Sequence, residues 1–207
     1  MIRGDLSNRL IHLTRGNSEM TVEQVFDSIL KERRLRGSAK DIRGGHAVVC
    51  FTEAPLTALA QVMASAPGAM RYQPFGVMVS KDWLYARGGR PVIYGEPHEY
   101  EELPASMQYR YVRYRPEKRN GDWTWEREWR IAADALPLNP EVTTLIVPRR
   151  MIADRHRIEH HDDNLAMSVA LGEDAFLRVD HFRWHFVALE DLGIDFPAEV
   201  GGTTTLA

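Results

Sequence analysis

The sequence lacks the features that mark secreted and membrane proteins. Its 207 residues include one cysteine, Cys50, so no disulfide can form within the chain and a reducing compartment is expected. No apolar run approaches the roughly 20 residues that cross a bilayer. The first residues lack the basic start and apolar stretch of a signal peptide. These absences predict a cytoplasmic protein without membrane contact.

Several common catalytic signatures are also missing. The sequence contains no Gly-x-x-x-x-Gly-Lys-Ser/Thr or Gly-x-Gly-x-x-Gly phosphate loop and no Gly-x-Ser-x-Gly elbow. Kinases, P-loop enzymes and serine hydrolases are therefore disfavoured. His156 and His160 have the helical spacing of a metal pair, but no His-Glu-x-x-His motif surrounds them. We expect no metal site.

The hydrophobic pattern predicts one α+β domain over residues 1–200, followed by a flexible tail at 201–207. Hydrophobic residues make up 44% of the chain and charged residues 27%, as in globular proteins. Two early helices are predicted, one starting at the capping box Thr21-Val22-Glu23-Gln24 and ending near Gly37, the other running from Pro55 to about Ala66. A short helix is expected over 148–157. Predicted strands lie at 10–14, 47–51, 75–79, 91–94, 123–132, 143–147 and within 176–187.

These strands indicate a mixed, mostly antiparallel sheet. Regular alternation of strands and helices is absent, so a Rossmann fold is disfavoured. Residues 95–122 show little periodicity, and a stretch of that length is often a functional loop.

The segment Trp123–Ala132 holds the most function-like motif. Its alternation predicts a strand with Glu126, Glu128 and Arg130 on one face. Two carboxyl groups on that face lie roughly 7 Å apart along the chain, since each residue adds about 3.3 Å. Their repulsion is expected to raise one pKa and prepare that group for proton transfer. The competing interpretation, of equal weight, is a solvent-facing ladder of charges.

Three other features have both a structural and a functional interpretation. His12 lies in an apolar strand with Thr14 at same-face spacing, which suits either a backbone contact or a ligand. Cys50 has no catalytic motif around it and is expected to be a small core residue. Arg110, Arg113 and Arg115 alternate with tyrosines, a pattern that suits phosphate contacts and base stacking. The acidic run at 96–102 and the net charge of −3 argue against general affinity for nucleic acid.

Four segments, in this order, resemble the abortive-infection AbiGi family and related bacterial proteins. Together they lie within residues 10–150, most of the chain. They are Cys50-Phe51-Thr52-Glu53-Ala54-Pro55-Leu56, the stretch from Tyr72-Gln73-Pro74-Phe75-Gly76-Val77 to Lys81-Asp82-Trp83, Arg90-Pro91-Val92-Ile93-Tyr94, and Glu126-Arg127-Glu128-Trp129-Arg130.

The layout is also similar to ADP-ribosyltransferases, including the DarT type that modifies nucleic acid. The similarity rests on His12-Leu13-Thr14, Phe26-Asp27-Ser28-Ile29-Leu30 and Leu35-Arg36-Gly37-Ser38, in that order. It implies an ADP-ribosyltransferase-like fold, NAD as substrate, and a role in phage defence or a toxin–antitoxin system. The implied acceptor is nucleic acid or protein. Phe51-Thr52-Glu53 replaces the Ser-Thr-Ser element of one transferase branch, which is a departure from that pattern.

The same resemblance implies roles for particular residues. Glu128 or Glu126 would contact the nicotinamide ribose, where a fixed carboxylate stabilises the positive charge that develops as the glycosidic bond breaks. NAD would be held by His12 and Thr14, with Thr52 beside them, and Tyr72 or Tyr94 would stack on the nicotinamide. Arg110, Arg113 and Arg115 would dock a nucleic-acid acceptor.

A second hypothesis keeps the fold without turnover. The chain would then be an antitoxin-like or regulatory binding module that recognises a partner encoded in the same operon. Under that hypothesis Glu128 is dispensable, and an exposed surface carries the function.

Overall fold

The computed structural model describes residues 7–66, 71–115, 117, 122–171 and 182–197, which form an α+β fold. The strands are β1 Arg9–Leu13, β2 Arg34–Arg36, β3 Val48–Thr52, β4 Gly76–Ser80, β5 Arg90–Pro91, β6 Ile93–Gly95, β7 Tyr111–Arg113, β8 Glu128–Ala132, β9 Ala135–Pro137, β10 Thr144–Val147 and β11 His185–Ala188. The α-helices are α1 Val22–Glu32, α2 Leu56–Ser65, α3 Lys81–Ala86, α4 Glu99–Glu102 and α5 Arg150–Leu171.

Seven strands form the main sheet, in the order β11-β10-β4-β1-β3-β8-β5. The pair β10–β11 is parallel, and the other neighbours are antiparallel. The prediction of a mixed, mostly antiparallel sheet in an α+β fold is confirmed. Two further strand pairs, antiparallel β2–β9 and parallel β6–β7, lie outside this sheet. The predicted tail at 201–207 lies outside the described residues.

The central strand β1 is buried on both faces of the sheet. Leu10 belongs to the larger core cluster, which includes Phe26 of α1. Ile11 and Leu13 belong to a second cluster, which includes Leu59 of α2. Successive strand residues point to opposite faces, so a strand packed on both sides requires an apolar run rather than polar alternation. This burial explains why His12 is surrounded by apolar neighbours in the sequence.

Helix α1 begins as predicted and ends earlier than predicted. The Gln24 backbone N–H donates to Thr21 Oγ1 at 3.3 Å, and the Thr21 N–H donates to Gln24 Oε1 at 2.9 Å. The helix ends at Glu32 rather than near Gly37 because Arg33 adopts a left-handed conformation, with φ 51°. The following residues pair with β9 as strand β2.

Other element boundaries also differ from the sequence predictions. Helix α5 has 22 residues and extends well beyond the predicted 148–157. The strand expected at 91–94 is divided into β5 and β6 at Val92. Within 95–122, the described part contains α4 and β7. Only part of the strand region at 176–187 is described, as β11. None of the described helices has both the length and the apolar character needed to cross a membrane.

Gly76 allows β4 to approach β1 at the point where His12 lies. A Cβ atom added at Gly76 would lie 2.2 Å from the His12 carbonyl oxygen, closer than atoms can approach. We predict that Gly76→Ala separates the two central strands and destabilises the protein by about 3 kcal/mol or more. Chemical denaturation measures the loss.

A second glycine variant separates crowding from backbone effects. Gly193 has φ +74° and nothing within 4 Å of the added Cβ. Gly193→Ala therefore bears only the left-handed backbone cost, about 1–2 kcal/mol. Equal losses of stability for the two variants would show that the approach of β4 to β1 is not tight.

Candidate functional site

Glu126 and Glu128 do not share the face of one strand, so that prediction was wrong. Residues Thr124–Glu126 form a 3₁₀ turn, and β8 begins only at Glu128. The Thr124 N–H donates to Asp122 Oδ1 at 2.9 Å, and Arg127 is left-handed with φ 45°. The alternation of tryptophans concealed this turn: Trp125 is 47% exposed, whereas Trp129 is 8% exposed. Both carboxyl groups nevertheless face the same cavities.

Most of the candidate residues line two adjoining cavities. The smaller, about 70 Å³, is lined by apolar side chains and by His12, Cys50, Thr52, Tyr72, Trp125, Glu126 and Glu128. The larger, about 930 Å³, shares five of these residues, His12, Cys50, Tyr72, Glu126 and Glu128, and adds Thr14, Arg71 and Arg130. Its volume lies within the range of pockets for small molecules and cofactors. An imidazole from β1 and a carboxylate from β8 therefore line one hollow.

Glu128 is fixed by a buried ion pair with Arg130. Arg130 Nε and Nη2 lie 2.8 Å and 3.2 Å from the two carboxylate oxygens of Glu128. The same guanidinium donates through Nη1 to the carbonyls of Tyr109 and Tyr111, at 3.1 Å and 2.9 Å. The side chains of Arg130 and Glu128 are 7% and 12% exposed. A carboxylate held in this way is a fixed negative charge at the cavity wall.

Glu126 has a different electrostatic environment. Burial, and then the nearby Glu128 carboxylate, raise the pKa of Glu126 to about 7, against the opposing influence of Arg71 and Arg130. The two carboxyl groups therefore differ at neutral pH, one being paired with arginine and the other close to half protonated. Environments that separate two carboxyl groups in this way are typical of acid–base sites.

His12 is available to a ligand through one ring nitrogen. Its Nδ1 lies 2.8 Å from the Cys50 carbonyl oxygen. A carbonyl only accepts hydrogen bonds, so Nδ1 is the donor and Nε2 carries the lone pair. Burial lowers the pKa of His12, which keeps the imidazole neutral. The structure thus shows the backbone contact that was one interpretation of His12, and Nε2 can accept a hydrogen bond from a hydroxyl group.

The two threonines are engaged in backbone contacts. Thr14 is 3% exposed, and its hydroxyl donates to the Phe75 carbonyl at 3.0 Å. Its proton is thus not free for a ligand, although the residue lines the larger cavity. The Thr52 hydroxyl donates to the Glu126 carbonyl oxygen and accepts the Ala54 N–H at 3.1 Å. Thr52 therefore positions the turn that carries Glu126.

The two candidate tyrosines have separate locations. Tyr72 lines both cavities, and its hydroxyl accepts a hydrogen bond from Arg71 Nη2 at 2.8 Å. Tyr94 lines neither cavity. Its hydroxyl donates to the Trp123 carbonyl at 3.0 Å, and its ring packs edge-on against Tyr114. Tyr72 is thus placed to contact a ligand, whereas Tyr94 holds the segment that precedes the Glu126 turn.

The three candidate nucleic-acid arginines lie outside the cavities. Arg110 Nε donates to the Pro91 carbonyl at 3.0 Å, which joins the segment before β7 to β5. Arg113 ends β7 and is exposed, and Arg115 is half-buried. Among the described residues, no group of three or more histidine, cysteine, aspartate or glutamate side chains is arranged to hold a metal ion.

Sequence reasoning missed Arg71. Its guanidinium lies 5.0 Å from the Tyr72 ring centre and 6.0 Å from that of Trp123, and its positive charge lowers the pKa of Glu126 more than that of Arg130 does. The signal was available in the dipeptide Arg71-Tyr72, which lies two residues before a predicted strand. Cys50 also lines the cavities, but burial raises the pKa of its thiol to about 12, so it is no nucleophile.

No protein-family model, curated protein or solved structure matches the chain.

The raised pKa of Glu126 predicts a pH-dependent gain of stability on Glu126→Gln. Above the ordinary value of 4.5, the unfolded chain ionises while the folded chain keeps the proton, so wild-type stability falls as pH rises towards 7. Glutamine removes this loss. We expect the two proteins to be equally stable below pH 4.5 and the variant to be more stable above pH 7, by at most about 3 kcal/mol.

Glu128→Gln is the matched comparison because it has the opposite effect. Removing the charge leaves buried Arg130 without its ion-pair partner, which destabilises the protein by about 3 kcal/mol at neutral pH. Urea denaturation across the pH range measures both variants. Parallel curves for wild type and Glu126→Gln between pH 4.5 and 8 would contradict the pKa assignment.

Proposed function

We propose that the chain is an ADP-ribosyltransferase that consumes NAD in a phage-defence or toxin–antitoxin system. The observation that carries this proposal is the shared cavity of His12, Glu126 and Glu128. The proposal also assigns the ADP-ribosyltransferase-like fold, for which the support is the α+β architecture with a mostly antiparallel sheet.

The cavity residues suit the chemistry of glycosyl transfer from NAD. The substrate supplies a ribose whose bond to nicotinamide breaks, with the electron pair leaving on nicotinamide. Glu128 presents a fixed negative charge that stabilises positive charge on the sugar more strongly in the transition state than in the ground state. His12 Nε2 accepts a hydrogen bond from a ribose hydroxyl, and Tyr72 offers a ring for stacking.

Glu126 is suited to the proton transfer that completes the reaction. As the acceptor oxygen or nitrogen bonds to the sugar, the Glu126 carboxylate takes the acceptor's proton. A pKa of about 7 is close to the operating pH, which is the condition for an effective general base. Thr52 holds this group in place through the Glu126 carbonyl, and Arg130 holds Glu128. Each carboxyl group thus has one role and one positioning residue.

Release of nicotinamide from NAD tests the activity directly. We expect the wild-type chain to release nicotinamide in the presence of bacterial extract and Glu128→Gln to lower the rate by about 10²–10³, the loss of one electrostatic stabiliser. Glu141→Gln, at a carboxyl group that is 67% exposed and lines neither cavity, should leave the rate unchanged. Rates are compared below the unfolding temperature of each variant.

The same assay distinguishes the enzyme from the alternative, a non-catalytic binding module. The observation that favours the alternative is the ion pair, since Arg130 neutralises the carboxylate that would act on the sugar. That alternative expects no turnover by the wild-type chain and full biological function for Glu128→Gln. Two results together would support the module and reject the enzyme. No extract would give nicotinamide release, and the wild-type chain and Glu128→Gln would both capture an operon partner.

Nucleic acid is the acceptor class that the exposed tryptophans beside the carboxyl site favour. Trp123 and Trp125 are 39% and 47% exposed on the segment that carries Glu126. Exposed flat rings stack on unpaired bases, and nearby arginines neutralise phosphates. Tyr94 connects this segment to the exposed Tyr114 and so to Arg113 and Arg115.

Binding of single-stranded oligonucleotides tests the acceptor class. We expect Trp125→Ala to weaken binding about tenfold, the loss of one stacked base, and binding to weaken steeply with salt. Tyr85→Ala removes a 54% exposed aromatic from α3 and should change nothing. Fluorescence anisotropy provides the measurement. Binding that ignores salt, or equal effects of the two variants, points to a protein acceptor instead.

A further inference from the structure

Helix α5 has an outward apolar face in addition to its buried one. Ile152 and Ala153 are 2% exposed and His156 is 8% exposed, and these residues pack into the domain. On the opposite side four apolar side chains are 52–77% exposed: Met151, Ile158, Leu165 and Val169. At 3.6 residues per turn these four lie within about 40° of arc along the helix. We call them the outer stripe.

Among the described residues, the second half of α5, residues 161–170, has no buried side chain. Among the described side chains of residues 161–170, Asn164 is half-buried and the others are exposed. They include Met167 in addition to two residues of the outer stripe. Isolated helical segments of this length are marginal in water, because their stability depends on packing an apolar face. A partner surface that packs against the exposed half of α5 would therefore stabilise it.

The spacing of the outer stripe indicates that the partner is another helix. Met151, Ile158 and Leu165 follow one another at intervals of seven residues, which matches one of the two apolar positions in the repeat of paired helices, while Asp154 and His161 stand at the other. The three residues are symmetric about Ile158. An antiparallel pair with Ile158 near a two-fold axis sets Met151 of one copy against Leu165 of the other. The stripe is therefore complementary to itself, as a two-fold interface requires.

The charges beside the stripe agree with the antiparallel orientation. Arg155 and Asp162 flank one side of the stripe, and Asp154 and His161 flank the other. In an antiparallel pair centred on Ile158, Arg155 meets Asp162 of the second copy, and Asp154 meets its His161. A parallel pair instead sets the arginine-rich N-terminal halves side by side, where they repel.

We propose that a second copy of this chain covers the outer stripe in an antiparallel, two-fold symmetric pairing of α5. The interface lies on the side of α5 opposite its domain-facing residues and contains none of the residues that line the carboxyl site. It therefore goes beyond the proposed function, and it holds whether or not NAD is turned over.

Sedimentation equilibrium of the full chain measures the dimer directly. We expect a dimer whose dissociation constant rises about 30-fold or more on Ile158→Glu, because the change places a charge at the centre of the interface. Val62→Glu is the matched control, since Val62 is 46% exposed on α2 and lies away from the stripe. Both variants should keep the wild-type circular dichroism.

A charge exchange tests the pairing across the axis. Arg155→Glu and Asp162→Arg should each weaken the dimer, and the double variant should recover most of the affinity, because the opposite charges meet again. Arg155 also lies 3.2 Å from Glu23 of α1, so the unfolding of each variant is measured separately.

Disulfide trapping distinguishes the orientations. A mixture of Met151→Cys and Leu165→Cys chains should form mixed disulfides under mild oxidation, whereas a parallel pair would join Met151→Cys chains to each other. The native Cys50 does not compete, because burial raises the pKa of its thiol to about 12. The proposal is overturned if the wild-type chain is a monomer at every soluble concentration. It is also overturned if Ile158→Glu leaves the dimer affinity unchanged, or if Met151→Cys chains form disulfides with each other.

Discussion

The Arg130 guanidinium is the charge on which the site and its surroundings depend. It is buried on β8, donates hydrogen bonds to both carboxylate oxygens of Glu128, and donates to the carbonyls of Tyr109 and Tyr111. A buried arginine without such partners is strongly unfavourable, so the carboxylate and the two carbonyls are held together by the need to satisfy it. One side chain thus joins the main sheet to the segment that leads into β7 and fixes the acidic wall of the cavity.

The same ion pair explains why the two neighbouring carboxyl groups behave differently. Arg130 is committed to Glu128, and its influence on Glu126 is weaker than that of Arg71. Glu126 is left with burial and a nearby negative charge, and both raise its pKa. A short sequence motif therefore yields two distinct groups because the backbone turns at Arg127, which sends the side chains along different paths into one hollow.

The main features of the fold could be predicted from the sequence because each is encoded locally. The capping box at Thr21 and the apolar runs at β1, β3, β4 and β10 depend on residues a few positions apart. The turn before β8 could not be predicted, since alternating tryptophans match a strand, and the left-handed Arg127 has no sequence mark. The length of α5 was missed because its second half has no core-facing stripe, and that stripe was the sequence signal for a helix.

The candidate site was only partly accessible to sequence reasoning. Glu126, Glu128 and His12 stand out in the sequence because each is an ionisable residue close to large apolar ones. Arg71 and Arg130 affect the two carboxyl groups through contacts that form only in the folded structure, and no local sequence pattern indicates them. Thr14 and Thr52 were expected to contact NAD, but their hydroxyl protons are used by the carbonyls of Phe75 and Glu126.

The hydrogen bond from Thr52 to the Glu126 carbonyl has a consequence for how quickly a ligand is captured. It ties the acidic turn to β3, near the centre of the main sheet, so we expect the cavity wall to be formed before a ligand arrives. A molecule that fits would then need no slow rearrangement of this wall. We expect its association to be limited by diffusion and by the orientation in which it arrives, rather than by the protein's own motion.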